Sequence, residues 1–270
     1  RAMPWVISLL AVSVPCVLGR TEASAKLSRL RIVNGCEKEP LWVAHEAGAG
    51  IGVDPQNVRI EPLASYDFQT PGGLSGTRYW PNMRCDERGN ACGIGESGGP
   101  QETSGTEAGC APPVDTKFEA TFGHEDEEDW VDMSLVDGYT LPFRFEMKGG
   151  NCSAGFGKHR EGGSVVDCSH LSVEDCPSSE DLGPGRPGVS LEVVHPDTKQ
   201  VVGCYSPCSK LTLAQWGNAV ALDQRETDPY CCPTPPESPR ACRAGPVGNT
   251  SFVRGVHRMC PGVYGYSYDD

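Results

Sequence analysis

Two aspartates near the middle of the chain, Asp132 and Asp137, have a spacing that could serve acid–base chemistry. Polar and apolar side chains alternate over residues 130–136, which predicts a strand with Asp132 on its open face. Asp137-Gly138 is a dipeptide that two-residue hairpin turns favour, so residues 139–145 are predicted to form the return strand. Paired carboxylates can donate and accept protons, but the same residues also fit a solvated strand face followed by a turn. Spacing alone favours the second interpretation.

Two other charged residues, Arg78 and Glu119, also lie in predicted strands. Arg78 is followed by two aromatic residues in the strand 76–80, and Glu119 lies in the strand 118–122. An acidic run follows at residues 124–129, and a calcium site is one interpretation of it. The run lacks the ligand spacing of a known calcium loop, so we interpret it as solvated surface. The sequence predicts no metal site and no cofactor.

The elements that position these residues are predicted to be mainly strands. The chain of 270 residues contains 33 glycines and 23 prolines, and no long stretch keeps a 3.6-residue apolar period. This pattern predicts an all-β framework with long loops. The other predicted elements are strands at 30–36, 41–44, 58–62 and 264–270, a hairpin of 190–194 with 200–202, and a short helix within 211–222.

The net charge of −13 limits the partners of the chain. Nucleic acids and anionic membrane surfaces both call for a basic face, so the charge argues against each of them. A neutral sugar or a cationic partner is compatible with it. At 270 residues, the chain is also long enough to bury a hydrophobic core of its own.

The first residues have the features of a secretory signal peptide, which we predict over residues 1–25. An apolar run follows Arg1 and is too short to span a bilayer comfortably, and small residues come after it. A buried N-terminal strand is the alternative. Glycosylation sequons at Asn151 and Asn249 agree with secretion to an extracellular location, and no membrane anchor is expected.

The cysteines also agree with secretion, because 14 are present and 13 of them lie beyond Cys16. Cys204 and Cys208 have a spacing found in zinc fingers, but no matching pair follows, so disulfides are the better interpretation. Cys231 and Cys232 are adjacent and are predicted to form disulfides with other cysteines, since a bridge between neighbours strains the peptide bond.

Several ordered motifs resemble those of the thaumatin-like proteins, a family that includes osmotin-like and zeamatin-like defence proteins. They are IVNGC, RYW, CAPP, FEATF, DMSLVDGYTLPF, YCC and CPGVYGYSYDD, and they extend from about residue 27 to residue 270. The resemblance implies an all-β fold: a β-sandwich core with two disulfide-rich loop domains, and a cleft between the core and the larger loop domain. It also places the family's final strands beyond residue 270.

The resemblance implies a domain order along the chain. Residues 26–84 and 111–168 are expected to form the two parts of the sandwich core. Residues 85–110 are expected to form the small disulfide loop domain and residues 169–260 the large one. Residues 261–270 are expected to form a further core strand.

Defence-type members of the family line their cleft with an arginine, a glutamate and three aspartates. The matching positions are Arg78, Glu119, Asp132, Asp137 and Asp270. This match favours a site over a solvated face at the predicted hairpin. If the site cleaves glycosides, we predict Glu119 as general acid and Asp132 as the second carboxylate, with Arg78 orienting one of them. Candidate rings for stacking on sugars are Tyr139, Tyr264 and Trp80.

The resemblance also implies which cysteines are paired. The expected disulfides are Cys85–Cys92, Cys168–Cys260, Cys176–Cys204, Cys208–Cys231 and Cys232–Cys242. Cys36 and Cys152 are expected to lack partners, because the matching family cysteines lie in the final strands. Cys110 is also expected to lack a partner, because residues 94–97 contain serine where the family has a cysteine.

These observations predict a secreted monomer that binds β-1,3-glucan, or a fungal-type cell wall, in an acidic cleft. Weak endo-β-1,3-glucanase activity is one extension of this prediction. The alternatives are a non-catalytic antifungal lectin and an inhibitor of a secreted hydrolase. A glycan-binding screen separates the glucan-binding protein and the lectin from the inhibitor. Release of reducing ends separates an enzyme from a lectin.

Overall fold

The computed structural model describes residues 12–13, 28–48, 52–95, 114–148, 165–212 and 224–269. Its strands are β1 (Val12–Ser13), β2 (Leu30–Val33), β3 (Leu41–Glu46), β4 (Val58–Ile60), β5 (Ser65–Phe68), β6 (Thr77–Met83), β7 (Lys117–Thr121), β8 (Trp130–Ser134), β9 (Gly138–Tyr139), β10 (Phe143–Lys148), β11 (Val165–Cys168), β12 (Glu192–Val194) and β13 (Val201–Tyr205). Its α-helices are α1 (Pro207–Thr212), α2 (Gln224–Cys231), α3 (Pro239–Ala244) and α4 (Ser251–Met259).

The largest sheet of the described residues is antiparallel, with five strands in the order β4-β3-β6-β7-β8. Smaller sheets are formed by β2 with β5, by β12-β13-β9 and by β1-β10-β11. The predicted hairpin of residues 190–194 and 200–202 is confirmed, since β12 pairs with β13 in antiparallel fashion. The all-β fold class is therefore confirmed.

The core lies between the five-stranded sheet and strands of the smaller sheets. Aromatic rings connect the layers: Phe68 of β5 lies 5.0 Å from Tyr79 of β6, and Phe118 of β7 lies 5.7 Å from Phe145 of β10, between ring centroids. All four rings are buried. Side chains alternate along a strand, so the residues next to Tyr79 on β6 and next to Phe118 on β7 point away from this core. We call the side to which they point the outer face of the five-stranded sheet.

All five disulfides implied by the family resemblance are present. The pair Cys168–Cys260 connects the end of β11 to the residue after α4, across 92 positions of sequence. Cys204 and Cys208 bridge to separate partners, as do the adjacent Cys231 and Cys232. Cys36 is the one free cysteine among the described residues and is buried, while Cys110 and Cys152 lie outside them.

Helix α4 was not predicted, although its cap and buried face can be read in its sequence. Thr250 accepts a hydrogen bond from the backbone N–H of Val253 and so caps the helix N-terminus. Phe252, Val253 and Val256 are buried on one face. With nine residues, the helix is too short to show a long 3.6-residue apolar period, so this pattern did not predict it.

The hairpin predicted at Asp137-Gly138 is wrong. The backbone N–H of Gly138 donates to the carbonyl of Leu135, so the turn spans residues 135–138. The chain then leaves β8, and β9 pairs with β13 instead. Gly138 has φ of +114°, and a Cβ on it would lie 2.1 Å from the carbonyl oxygen of Cys204. Position 138 requires a glycine because the backbone approaches β13 closely there, rather than because of a two-residue turn.

Both ends of the chain also differ from simple strand predictions. Residues 261–269 form turns, and the predicted strand at 264–270 is reduced there to one parallel bridge between Tyr264 and Ser134. Within the predicted signal peptide, β1 pairs in parallel with Met147 and Lys148, and cleavage of that segment stays a prediction. In the described ranges, no helix is both long and apolar enough to cross a lipid bilayer.

Candidate functional site

Four charged residues lie side by side across four neighbouring strands of the five-stranded sheet. Glu46 of β3 is paired with Arg78 of β6, Arg78 with Glu119 of β7, and Glu119 with Asp132 of β8. Residues that face each other on antiparallel strands point to the same side of the sheet. The four side chains therefore form one line on the outer face, which we call the charged row.

Arg78 is the only cation of the charged row and holds two of its acids. Its Nε donates to Oε1 of Glu119 at 2.7 Å, and its NH1 donates to Oε1 of Glu46 at 3.1 Å. Burial alone would lower the pKa of Arg78, but the charges of Glu119 and Glu46 outweigh it and the net shift is upward. The side chain of Arg78 is 41% exposed, so a ligand can reach it.

Asp132 ends the charged row and has a different environment from Glu119. Burial raises the pKa of Asp132 to about 7, the charge of Glu119 adds to the rise, and Arg78 opposes it. Its Oδ1 atom is shielded from solvent and has no hydrogen-bond partner among the described residues. Glu119 is a carboxylate in an ion pair, whereas Asp132 is a carboxyl group that can keep its proton near neutral pH.

Asp137 joins the site through a buried lysine. Lys117 lies on β7, two residues before Glu119, so the two side chains share the outer face. The Nζ atom of Lys117 donates to Oδ2 of Asp137 at 2.6 Å, with the lysine side chain 2% and the aspartate side chain 35% exposed. The charge of Asp137 also helps to raise the pKa of Arg78, which places it near the charged row.

The charged row lies at the boundary between a covered and an open part of the outer face. On one side, the neighbouring positions are all buried. These are Ala44, Trp80, Lys117 and Ser134. On the other side, Thr121 is paired with Trp130, and Trp130 is exposed. The carboxyl groups of the row are thus partly desolvated but can be reached from one direction.

The structure brings together four of the five predicted cleft residues: Arg78, Glu119, Asp132 and Asp137. The fifth, Asp270, lies outside the described residues. Tyr264 is partly exposed, and its backbone carbonyl accepts from the N–H of Leu135, so it lies beside the end of β8.

The other two predicted stacking residues, Tyr139 and Trp80, are buried. Tyr139 is 1% exposed, and its hydroxyl donates to the carbonyl of Ser172. These rings present no face to a ligand in this structure. Neither one is part of the candidate site that we describe.

Glu46 and Lys117 were not predicted as site residues. Glu46 ends a strand in which Trp42, Ala44 and Glu46 alternate with core residues, so its face could have been predicted, but not its pairing with Arg78. Lys117 precedes the predicted strand 118–122, and a lysine at that position gives no sign that its side chain will be buried.

The described residues contain no group of three or more histidine, cysteine, aspartate or glutamate side chains placed to hold a metal ion. What the charged row offers instead is a pair of adjacent acids, of which Glu119 is ion-paired with Arg78 and Asp132 has a raised pKa. Such a pair can hydrogen-bond sugar hydroxyls from both donor and acceptor atoms. It is also the combination that glycoside hydrolysis requires.

The fold, the disulfides and this site define a class of protein. Residues 34–270 match the model of the Thaumatin family, and the chain belongs to that family. Among curated proteins, it is 30% identical to pathogenesis-related protein 5 of Arabidopsis thaliana over 85% of this chain and 78% of that protein. It is also 30% identical to a thaumatin-like protein of the same plant over 91% of this chain and 84% of that protein.

A further relative is a thaumatin-like protein of Actinidia deliciosa, with 26% identity over 91% of this chain and 82% of that protein. The names of these relatives place the chain in a group with defence-related members. Such relatives and the five disulfides are consistent with a secreted protein.

Proposed function

We propose that this protein is secreted and binds β-1,3-glucan at the charged row, as part of defence or of cell-wall interaction. The observation that carries the proposal is the register of the row, which puts Arg78, Glu119 and Asp132 side by side on an accessible edge of the outer face. A neutral polysaccharide is compatible with the net charge of −13, which repels anionic polymers.

Binding uses the different hydrogen-bonding roles of the row. Arg78 and the protonated form of Asp132 donate, while Glu119 and Glu46 accept, so successive sugar hydroxyls find both kinds of partner.

We further propose that the row cleaves the glucan, with roles opposite to those predicted from sequence. Asp132 is the general acid, because its surroundings favour the protonated carboxyl, and Glu119 is the nucleophile, because its ion pair with Arg78 requires a carboxylate. The Asp132 proton goes to the glycosidic oxygen as its bond to C1 breaks and Glu119 bonds to C1. Water, deprotonated by Asp132, then releases the sugar from Glu119.

The separation of the two carboxyl groups distinguishes retention from inversion of configuration. Retaining glycosidases keep their two carboxyl groups about 5–5.5 Å apart, whereas inverting ones need about 6.5–9.5 Å. Glu119 and Asp132 are opposite each other on neighbouring strands, and the configuration of the sugar released from laminarin tests the proposed retaining mechanism.

The test of the binding proposal replaces Arg78 by alanine. Without the cation, Glu46, Glu119 and Asp132 repel each other, so affinity for soluble β-1,3-glucan is expected to fall about tenfold or more. Affinity electrophoresis in laminarin gels measures the change, and far-ultraviolet circular dichroism confirms folding. Arg31→Ala is the matched control, because Arg31 forms an ion pair with Asp67 on a different sheet. Equal laminarin affinity in wild type and Arg78→Ala would refute this location.

A further inference from the structure

Trp130 is the most exposed large hydrophobic residue among those described, with 71% of its surface accessible. The other two tryptophans of the described residues, Trp42 and Trp80, are both buried. A single exposed apolar residue needs no explanation by itself. The position of Trp130, however, connects it to the charged row.

Trp130 and Asp132 lie two positions apart on β8, so both side chains project from the outer face. The distance between their Cα atoms is roughly 7 Å by strand geometry. Among the described residues, β8 is an edge strand of the five-stranded sheet, and no described strand lies beyond it in that sheet. The indole ring therefore stands on the open side of the acid pair.

The positions that continue the Trp130 line across the sheet are small. Thr121 is paired with Trp130, the N–H of Gly76 donates to Oγ1 of Thr121 at 3.1 Å, and a Cβ on Gly76 would lie 3.5 Å from the backbone of Gly48. No bulky side chain stands between the ring and the charged row on these positions. The exposed indole thus lies beside a part of the outer face that carries only small residues, next to the carboxyl groups.

We propose that Trp130 is a sugar-stacking subsite, on which one glucose residue of the glucan lies while the next reaches Asp132 and Glu119. This inference rests on the proposed glucan-binding function and names the residue that sets the register of the polymer. Tryptophan combines a large apolar face with an indole N–H, which suits the apolar face and the hydroxyl rim of a pyranose. Stacking on an uncharged ring also fits a neutral ligand.

The test compares four proteins for affinity to soluble laminarin: wild type, Trp130→Phe, Trp130→Leu and Leu63→Ala. Leu63 is 67% exposed in the turn after β4, at the opposite edge of the same sheet, and serves as the matched control. Trp130→Leu is expected to lose about three- to tenfold in affinity, the usual range for one aromatic contact. Trp130→Phe, which keeps a ring, is expected to stay within about twofold, and Leu63→Ala to stay unchanged.

Tryptophan fluorescence provides an independent readout. Acrylamide quenches exposed indoles, so the difference between wild type and Trp130→Phe isolates the Trp130 signal from the four other tryptophans. Laminarin oligosaccharides are expected to protect that difference signal from quenching. Protection without loss of affinity in Trp130→Leu would overturn the claim that the ring contributes to binding.

The outcomes separate this inference from the function on which it rests. If wild type binds laminarin and Trp130→Leu binds equally well, the subsite is wrong while the charged row stands. If wild type does not bind laminarin, the glucan assignment fails, and the subsite fails with it. If Trp130→Phe is as weak as Trp130→Leu, a phenyl ring does not replace the indole, and the claim that an aromatic face is sufficient for this contact is wrong.

Discussion

Asp132 and Glu119 both carry a carboxyl group, but their surroundings differ. Glu119 accepts a hydrogen bond from the Arg78 guanidinium at 2.7 Å, whereas burial dominates the environment of Asp132 and raises its pKa. Both residues were predicted through the family resemblance, but the acid role was predicted for Glu119. Burial and the position of Arg78 decide the protonation, and neither one follows from residue spacing.

A first prediction concerns the stability cost of Asp132. Its pKa of about 7 in the folded state lies above the ordinary 3.8, so the folded protein binds this proton more tightly than the unfolded chain. The stabilising effect of that proton is complete below about pH 4 and is lost as pH rises to about 7. Asp132→Asn removes this dependence, and above pH 7 the variant should be more stable than wild type by about 2–4 kcal/mol.

Urea unfolding of both proteins between pH 4 and pH 8 measures this difference. Histidines titrate in the same range, but they are common to both proteins and cancel in the comparison. A stability difference that stays constant with pH would show that Asp132 has an ordinary pKa. In that case it could not be the general acid near neutral pH.

At the scale of elements, alternation predicted the open face of β8 but not the strands beside it. The outer-face positions of Arg78, Glu119 and Asp132 agree with a period of two. Their lateral alignment depends on strand order and register, which the hydrophobic pattern of one strand does not specify. The hairpin prediction failed for the same reason, since Asp137-Gly138 fits a turn but Gly138 serves a contact with β13.

A second prediction tests that role of Gly138. Gly138→Ala places a methyl group 2.1 Å from the Cys204 carbonyl oxygen, so β9 and β13 must separate. We expect a loss of at least ~3 kcal/mol in the free energy of unfolding. Gly185→Ala is the control, because Gly185 also has positive φ but has no atom within 4 Å of an added Cβ. Its cost should be about 1 kcal/mol. Equal costs for the two variants would mean that only backbone conformation matters at Gly138.

At the scale of the molecule, disulfides hold a fold in which much of the described chain is loop. All five pairings followed from the family resemblance, and residue spacing alone could not have chosen among the alternatives. The sheet order β4-β3-β6-β7-β8 and the helices α2, α3 and α4 were not predicted. Both depend on long-range packing, which local patterns do not report.

A third prediction ranks two of these disulfides. Cys168–Cys260 spans 92 positions and Cys85–Cys92 spans seven. In the loop-entropy model, replacing the first pair by serines lowers the free energy of unfolding by about 4–5 kcal/mol, against about 2 kcal/mol for the second. Guanidinium titration of the two double variants measures the ranking. A larger loss from the short loop would contradict the entropic account.

The most direct test of the central claim measures reducing ends released from laminarin between pH 4 and pH 8 by wild type, Glu119→Gln and Asp132→Asn. The proposed mechanism predicts that wild-type activity falls as pH rises through about 7, because Asp132 then loses its proton. Each variant should lose at least ~10²-fold in hydrolysis while its laminarin affinity changes little. A wild type that binds laminarin yet releases no reducing ends over long incubation would contradict catalysis and leave the charged row as a binding site.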